Sequence, residues 1–274
     1  MSGPVEILFP VYPWLRDHHF AGQAVLPMVT ALDFLAALTL EKFPEIDITL
    51  IKNSIFQKLL VLPPNDMLPL LVELEWLDQK HLRAAMLTRK YGKISRLLYH
   101  AEVIFGGESR TAATGLTFPA AKMPHRAIAC EKIYAELVPF GKNFHTLHGE
   151  LYLQGETASG TLAAPDLPFS CRALPNPFLL DGAMHAACVH GQSFCGFVPF
   201  PASFSFMKVE NAHRLQTPGH TYHTHCRLTA KTASELRYDL RVDGNGGTIE
   251  LAGLVMRDVS GGRIKPPQWI RQVA

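Results

Sequence analysis

Two histidines stand side by side in "WLRDHHFAGQAVLP", residues 14–27, just ahead of a long apolar run. A neutral imidazole is a natural general base near neutral pH. His18, Gly22 and Pro27 form the pattern H-x3-G-x4-P. Glycine permits backbone conformations and close substrate approach that a side chain blocks. The start of a buried helix, close by in sequence, offers unpaired N–H groups that polarise an oxygen. The same stretch also fits a surface turn in which His18 and His19 are merely polar. A possible partner lies far along the chain, in "NPFLLDGAMHAAC", residues 176–188. There Asp181 sits among Leu179, Leu180 and Met184, with His185 one helical turn further on the same face. A carboxylate in such company is costly unless it is paired or protonated. The alternative is a helix-start carboxylate, since Pro177 marks the first turn nearby.

The elements that must position these groups follow from patterning. "PMVTALDFLAALT" is apolar on nearly every face, which describes a helix buried on all sides. After it come "IDITLIKNSIFQKLLVL", "LPLLVELEWLD", "LRAAMLTRK" and "ISRLLYHAEVIFG". These partly alternating, β-branched segments are separated by Pro-Pro-Asn-Asp, Asp-Gln-Lys and Tyr-Gly-Lys turn signals, and they predict an antiparallel meander. The scheme recurs after a looser Gly/Ala/Thr/Pro region. "CEKIYAELV" predicts a helix, followed by short strands around Leu151 and Thr161, and "PFLLDGAMHAACVHG" predicts a second buried helix. Strands follow at "SFSFMKVENA", "GHTYHTHCRLTA", "ELRYDLRVDG" and "GTIELAGLVMRDV", with Asn-Gly-Gly at 245–247 as hairpin chemistry. A helix this apolar is best covered by a curved sheet wrapped around it. Two such units are expected: an N-terminal one over 1–108 and a C-terminal one over 127–260, with a linker at 109–126 and a tail at 261–274. Their central helices should span about 27–41 and 177–190.

The composition sets outer bounds. The chain has 274 residues, 47% hydrophobic and 18% charged, which is enough for one large or two small globular domains. A net charge of +2 gives no electrostatic reason to expect nucleic acid or a membrane surface. The five cysteines lack CxxC spacing and read as reduced thiols, not as a disulfide framework or zinc site. The N-terminal residues carry no basic-then-apolar leader, and no stretch of about 18 uninterrupted apolar residues could cross a bilayer, so a cytoplasmic protein is expected. "HTYHTH" puts His223 and His225 on one strand face, as two metal ligands or as a solvated face, with no third ligand evident. Arg257, Arg263, Lys265 and Arg271 make the tail basic, which fits either an acidic partner or a solvated terminus.

Taken in order, several stretches resemble the motifs of polyketide synthase dehydratase domains. "WLRDHHFAGQAVLP" is similar to the family's first active-site motif and "LLDGAMH" to its second, D-x3-Q/H. "FGKNFHTL" resembles the Y-G-P-x-F segment, "VPFPASFSFMKV" the Leu-Pro-Phe stretch, and "YDLRVDGNGGTIELAGLVMRDV" the closing pattern. Together they cover about residues 5–258. The resemblance implies an α+β double hot-dog fold, two tandem antiparallel sheets each wrapped around a central helix. It also implies dehydration of 3-hydroxyacyl thioesters carried on the phosphopantetheine arm of an acyl carrier protein, in polyketide or fatty-acid-like biosynthesis. On that basis His18 is the general base, Asp181 the general acid and His185 the residue that orients it. Gly22, Pro27, Phe140, Gly141 and Phe144 are the substrate-binding positions, and His19 falls on a variable one. No metal or other cofactor is implied. The expected partners are acyl carrier protein and other synthase components, with the chain a monomeric double hot-dog or a homodimer. Three departures stand out. Phe140 replaces the tyrosine of Y-G-P-x-F, Lys142 replaces its proline, and Met28 follows Pro27 where glycine is common.

Elimination needs neutral His18 at the acidic Cα–H beside a thioester, backbone N–H donors near Gly22 on the carbonyl oxygen, and a proton for the leaving hydroxyl. Asp181 supplies that proton if its apolar surroundings raise its pKa. An acyl chain needs an apolar tunnel, to which "FCGFVPF" is expected to contribute. The same pair would also serve a double-bond isomerase or a product-template-like cyclase. A non-catalytic acyl-binding scaffold is the reading from a different class.

Overall fold

The computed structural model describes residues 3–90, 95–107, 116–118, 126–167, 173–217 and 219–271. The first half forms β1 (Val5–Pro10), a small hairpin of β2 (His19–Phe20) and β3 (Gln23–Ala24), then β4 (Leu50–Ile55), β5 (Met67–Trp76), β6 (His81–Lys90) and β7 (Arg96–Gly106). The second forms β8 (Arg126–Ala129), β9 (Leu147–Gln154), β10 (Thr157–Ala163), β11 (Phe200–Glu210), β12 (Thr221–Lys231), β13 (Glu235–Gly244) and β14 (Gly247–Arg257). All but the small hairpin belong to one 12-stranded antiparallel sheet, in the order β1-β5-β6-β7-β4-β11-β14-β13-β12-β10-β9-β8. The halves are joined where β4 pairs with β11, Ile55 opposite Ser203 and Leu50 opposite Lys208. Each half curls around one helix. This is the double hot-dog architecture expected from the sequence.

The two central helices are Met28–Lys42 and Pro177–Gln192. Every residue of the second is buried, as its unbroken apolar surface requires. Fully buried Phe105, Phe178 and Phe204 show the scale of the core, each worth roughly 1.5–3 kcal/mol of transfer free energy. The helices touch each other, and Asp33 of the first accepts a hydrogen bond from the Leu174 N–H of the second half at 2.9 Å. Asn245 and Gly246 both have positive φ (53° and 80°) in the β13–β14 turn, as a two-residue primed hairpin demands.

Three details differ from the sequence reading. The strand expected across "IDITLIKNSIFQKLLVL" ends at Ile55. Beyond it the backbone pairs instead with the segment before the first helix: Leu26 N–H donates to Leu60 O and Leu62 N–H to Ala24 O, both at 2.8 Å. The tail is not merely solvated. Ile270 is fully buried, Trp269 Nε1 donates to Glu136 Oε2 at 2.6 Å, and Arg126 donates to the carbonyls of Trp269 and Ile270. "CEKIYAELV" is a helical turn that widens over Ile133–Leu137 into a π-type turn. Most of the expected 109–126 linker, the Tyr-Gly-Lys turn at 91–93 and Cys171 lie outside the described residues.

Candidate active site

His18 follows a short helical turn, Pro13–Asp17, in extended backbone. Its Nδ1 lies 2.9 Å from the carbonyl of Val25. A carbonyl only accepts, so Nδ1 carries the hydrogen and the Nε2 lone pair is free, the form a base needs. Burial pushes the His18 pKa down. Asp181 and the Val25 bond push it up, His185 and His19 add to the fall, and the net is a value below the ordinary 6.5. The ring packs against Phe140 and Phe144, with centroids 4.4 and 5.1 Å away.

Asp181 lies in the second turn of its helix. The cap there is Asn176, whose side chain accepts from Phe178 N–H at 3.1 Å, so Asp181 has no capping role. It is 6% exposed, and its Oδ2 is 2.9 Å from His185 Nε2. The contact is oblique, and neither atom has an in-line hydrogen-bond partner. Burial pushes the Asp181 pKa up, but the His185 ring 2.9 Å away and, after it, His18 pull harder, leaving it below the ordinary carboxylate value. The expectation that apolar walls raise it is therefore corrected for the resting site, because the imidazoles close to the carboxyl outweigh desolvation.

His18 and Asp181, brought from opposite halves, line one cavity of about 810 Å³. Its apolar wall includes Met28, Leu60, Met184 and Val198, Pro199 and Phe200, the last three from the expected "FCGFVPF" contributor. Gly22, Phe140 and His185 also line it. Pro27 is buried as the cap of the first helix, next to cavity-lining Met28. Phe144 is buried behind His18, against Trp14 and Phe178.

Residues 10–89 match the family model described as the polyketide synthase dehydratase domain. That match covers less than a third of the chain. The solved structures extend the fold likeness to the whole chain. A dehydratase domain of a mycocerosic acid synthase-like polyketide synthase is 19% identical, covering 93% of this chain and 92% of its own, with a TM-score of 0.70. A trans-AT polyketide synthase dehydratase domain from Brevibacillus brevis is 16% identical, covering 93% of both chains, with a TM-score of 0.74. A bifunctional dehydratase-cyclase domain in ambruticin biosynthesis is 17% identical over 92% of this chain and 90% of its own, at 0.65. No curated protein matches the sequence. The family resemblance and the double hot-dog read from the motifs are both borne out.

The backbone calls for the glycine of the first motif, one of the two uses that the sequence suggested for it. Ala21 and Gly22 form the turn between β2 and β3 with φ of 50° and 78°, and Gly22 lines the cavity with no protein atom near an added Cβ. The leading N–H groups of the first helix belong instead to Met28 and Val29, which have no intrahelical acceptor. Gly141 is where close approach decides the residue: a Cβ there would collide with Asp17 Cγ. Asp17, one residue before His18, accepts from Asn143 N–H at 3.1 Å and Asn143 Nδ2 at 2.7 Å, and its carbonyl accepts from Gly141 N–H at 2.9 Å. This joint docks the first motif on the "FGKNF" segment.

Sequence reasoning missed this joint and also missed Tyr134. The Tyr134 hydroxyl accepts from the Thr146 and Leu147 N–H groups at 2.9 and 2.8 Å and lies 3.4 Å from His185 Nδ1. The only hint was a tyrosine in an apolar helical stretch, and nothing in the spacing says which nitrogen it meets. His223 and His225 do share a strand face, but no group of three potential ligands exists among the described residues. No described helix is long and apolar enough to cross a membrane. The four described cysteines are free and buried.

Proposed function

We propose that the chain dehydrates 3-hydroxyacyl thioesters, presented on the phosphopantetheine arm of an acyl carrier protein within a synthase, to 2-enoyl thioesters. One observation carries the reading: His18 and Asp181, 163 residues apart in sequence, line one mostly apolar cavity, with the His18 Nε2 lone pair free. His18 removes the Cα proton, the bond to the 3-hydroxyl breaks as the double bond forms, and Asp181 delivers the proton that lets the hydroxyl leave as water. Ionised at rest, the carboxyl takes up that proton from solvent as the bound acyl chain desolvates the site and raises its pKa. Thioester carbonyl charge is met by the N–H groups that lead the first helix, beside Met28. Met184, Leu60 and Val198 receive the acyl chain. No metal or redox cofactor enters these steps. The basic tail residue Lys265, at the cavity wall, is suited to the acidic surface or phosphate of the carrier.

The test is water loss from a 3-hydroxyacyl thioester followed by mass spectrometry. His18→Ala and Asp181→Asn should each lower the rate by about 10²–10⁴, the typical worth of a positioned acid or base. The double variant should lose little more, because both groups serve one elimination. His19→Ala should lose far less. Full activity in Asp181→Asn would overturn the assignment. A second reading, isomerisation or cyclisation by the same pair, takes some support from the dehydratase-cyclase neighbour. It predicts a product of unchanged mass from an enoyl or dehydrated substrate.

A further inference from the structure

The Tyr134 hydroxyl is 6% exposed with its residue, inside the second half and away from the carbonyl chemistry. A phenol oxygen has two acceptor sites and one hydrogen to give. Both acceptor sites are used, by the N–H groups of Thr146 and Leu147. The remaining O–H has one ring nitrogen within reach, His185 Nδ1 at 3.4 Å. Burial also pushes the Tyr134 pKa up, so the phenol keeps that hydrogen. His185 Nδ1 must then accept, and the ring hydrogen belongs on Nε2, the nitrogen 2.9 Å from Asp181 Oδ2. The opposite tautomer would set a nitrogen lone pair against a carboxylate oxygen at that distance and leave the phenol hydrogen facing an N–H.

We propose that Tyr134 is a positioning residue: its O–H, donated to His185 Nδ1, holds the ring in the tautomer that presents an N–H to Asp181 and so keeps that carboxyl aimed into the cavity. The proposal rests on the dehydratase reading for its kinetic consequence but not for its structural one. The groups facing His185 are accounted for from each side. Asp181 is on its own helix, His18 comes from the first motif, Phe140 packs at 5.3 Å from the following loop, and Tyr134 lies on the helical turn, itself stacked on His145 at 4.1 Å. Of these, only Tyr134 reaches Nδ1 with a hydrogen to give, which matters because Phe140 stands where the family's motif has a tyrosine.

Two measurements test this. Nitrogen NMR on isotope-labelled histidine reads the tautomer in the resting protein without any substrate. His185 should show hydrogen on Nε2 in the native chain and lose that preference in Tyr134→Phe. A native ring with hydrogen on Nδ1 overturns the proposal whatever the protein catalyses. Kinetics gives the second measurement. Tyr134→Phe should lower kcat by about fivefold to tenfold, the worth of one hydrogen bond, with KM little changed. The acid limb of its pH profile should move to higher pH, since Nδ1 is then free to take a proton. His185→Gln, whose amide can both accept from Tyr134 and donate to Asp181, supplies a reference background with no titratable ring at this position, whatever its own rate. In that background Tyr134→Phe should leave the acid limb in place. A purely structural role, through the Thr146 and Leu147 N–H groups, would lower activity equally in both backgrounds and leave the pH profile unmoved, which would refute the positioning role. If no 3-hydroxyacyl thioester loses water in the native protein, the dehydratase reading fails, and the NMR result still decides the proposal.

Discussion

Gly141→Ala should damage the protein at a point where its halves are clasped beside the proposed base. The added Cβ would overlap Asp17 Cγ, and Asp17 cannot swing aside freely. Its carboxylate holds the backbone and side-chain N–H groups of Asn143, and its carbonyl holds Gly141 N–H. Hydrogen bonds to a charged group are worth about 1.5–3 kcal/mol each, so losing one of the two carboxylate bonds costs about 2 kcal/mol. For a chain of 274 residues that is a fall in Tm of about 3–4 °C. The functional loss should be larger, because His18 is the next residue after Asp17. A misplacement of about 1 Å costs on the order of 10²-fold in rate. The assay is a thermal melt together with kcat for water loss, on Gly141→Ala, Asp17→Gly and the double variant. Asp17→Gly removes every Asp17 side-chain atom that the new Cβ would strike, Cβ included, so Gly141→Ala should cost little more in that background. Native Tm and kcat in Gly141→Ala, or fully additive losses, would refute the claim that this joint places His18.

A second prediction concerns acid stability. His190 is buried with Nδ1 2.9 Å from the Tyr238 hydroxyl and Nε2 3.0 Å from Gly155 O, and burial drops its pKa from 6.5 to about 4. The unfolded chain therefore takes up this proton first. The stabilising contribution is complete above pH 6.5 and is lost as pH falls toward 4, amounting to about 3 kcal/mol. Urea melts across that window should show the loss, and His190→Gln should flatten it; an unchanged slope would exclude His190 as its source. Chelator treatment should leave water loss intact, because the proposed steps use only a base, an acid and backbone donors. Inactivation that zinc reverses would contradict the roles given to His18 and Asp181.

Much of the architecture was legible in the sequence because it follows from local patterning. Two helices apolar on every face have to be wrapped, alternating segments with turn residues between them make the wrapping, and Asn245-Gly246 closes a hairpin by its own backbone preference. The resemblance of the motifs, not their spacing alone, singled out His18 and Asp181 as a pair. What the sequence could not determine is everything that depends on distance between segments remote in the chain. The Asp17–Asn143 joint, the continuous sheet through β4 and β11, and the tail folded onto Glu136 have no local signature. The same limit explains the misjudged details. Gly141, where protein atoms crowd a glycine, meets Asp17 only after folding. The Asp181 carboxyl looked lifted by its apolar neighbours, yet the His185 and His18 rings reverse the balance, because polar partners a few ångströms away outweigh the average polarity of the wall. Which nitrogen of His185 bears hydrogen is a property of a tyrosine 51 residues earlier, brought to it by packing alone.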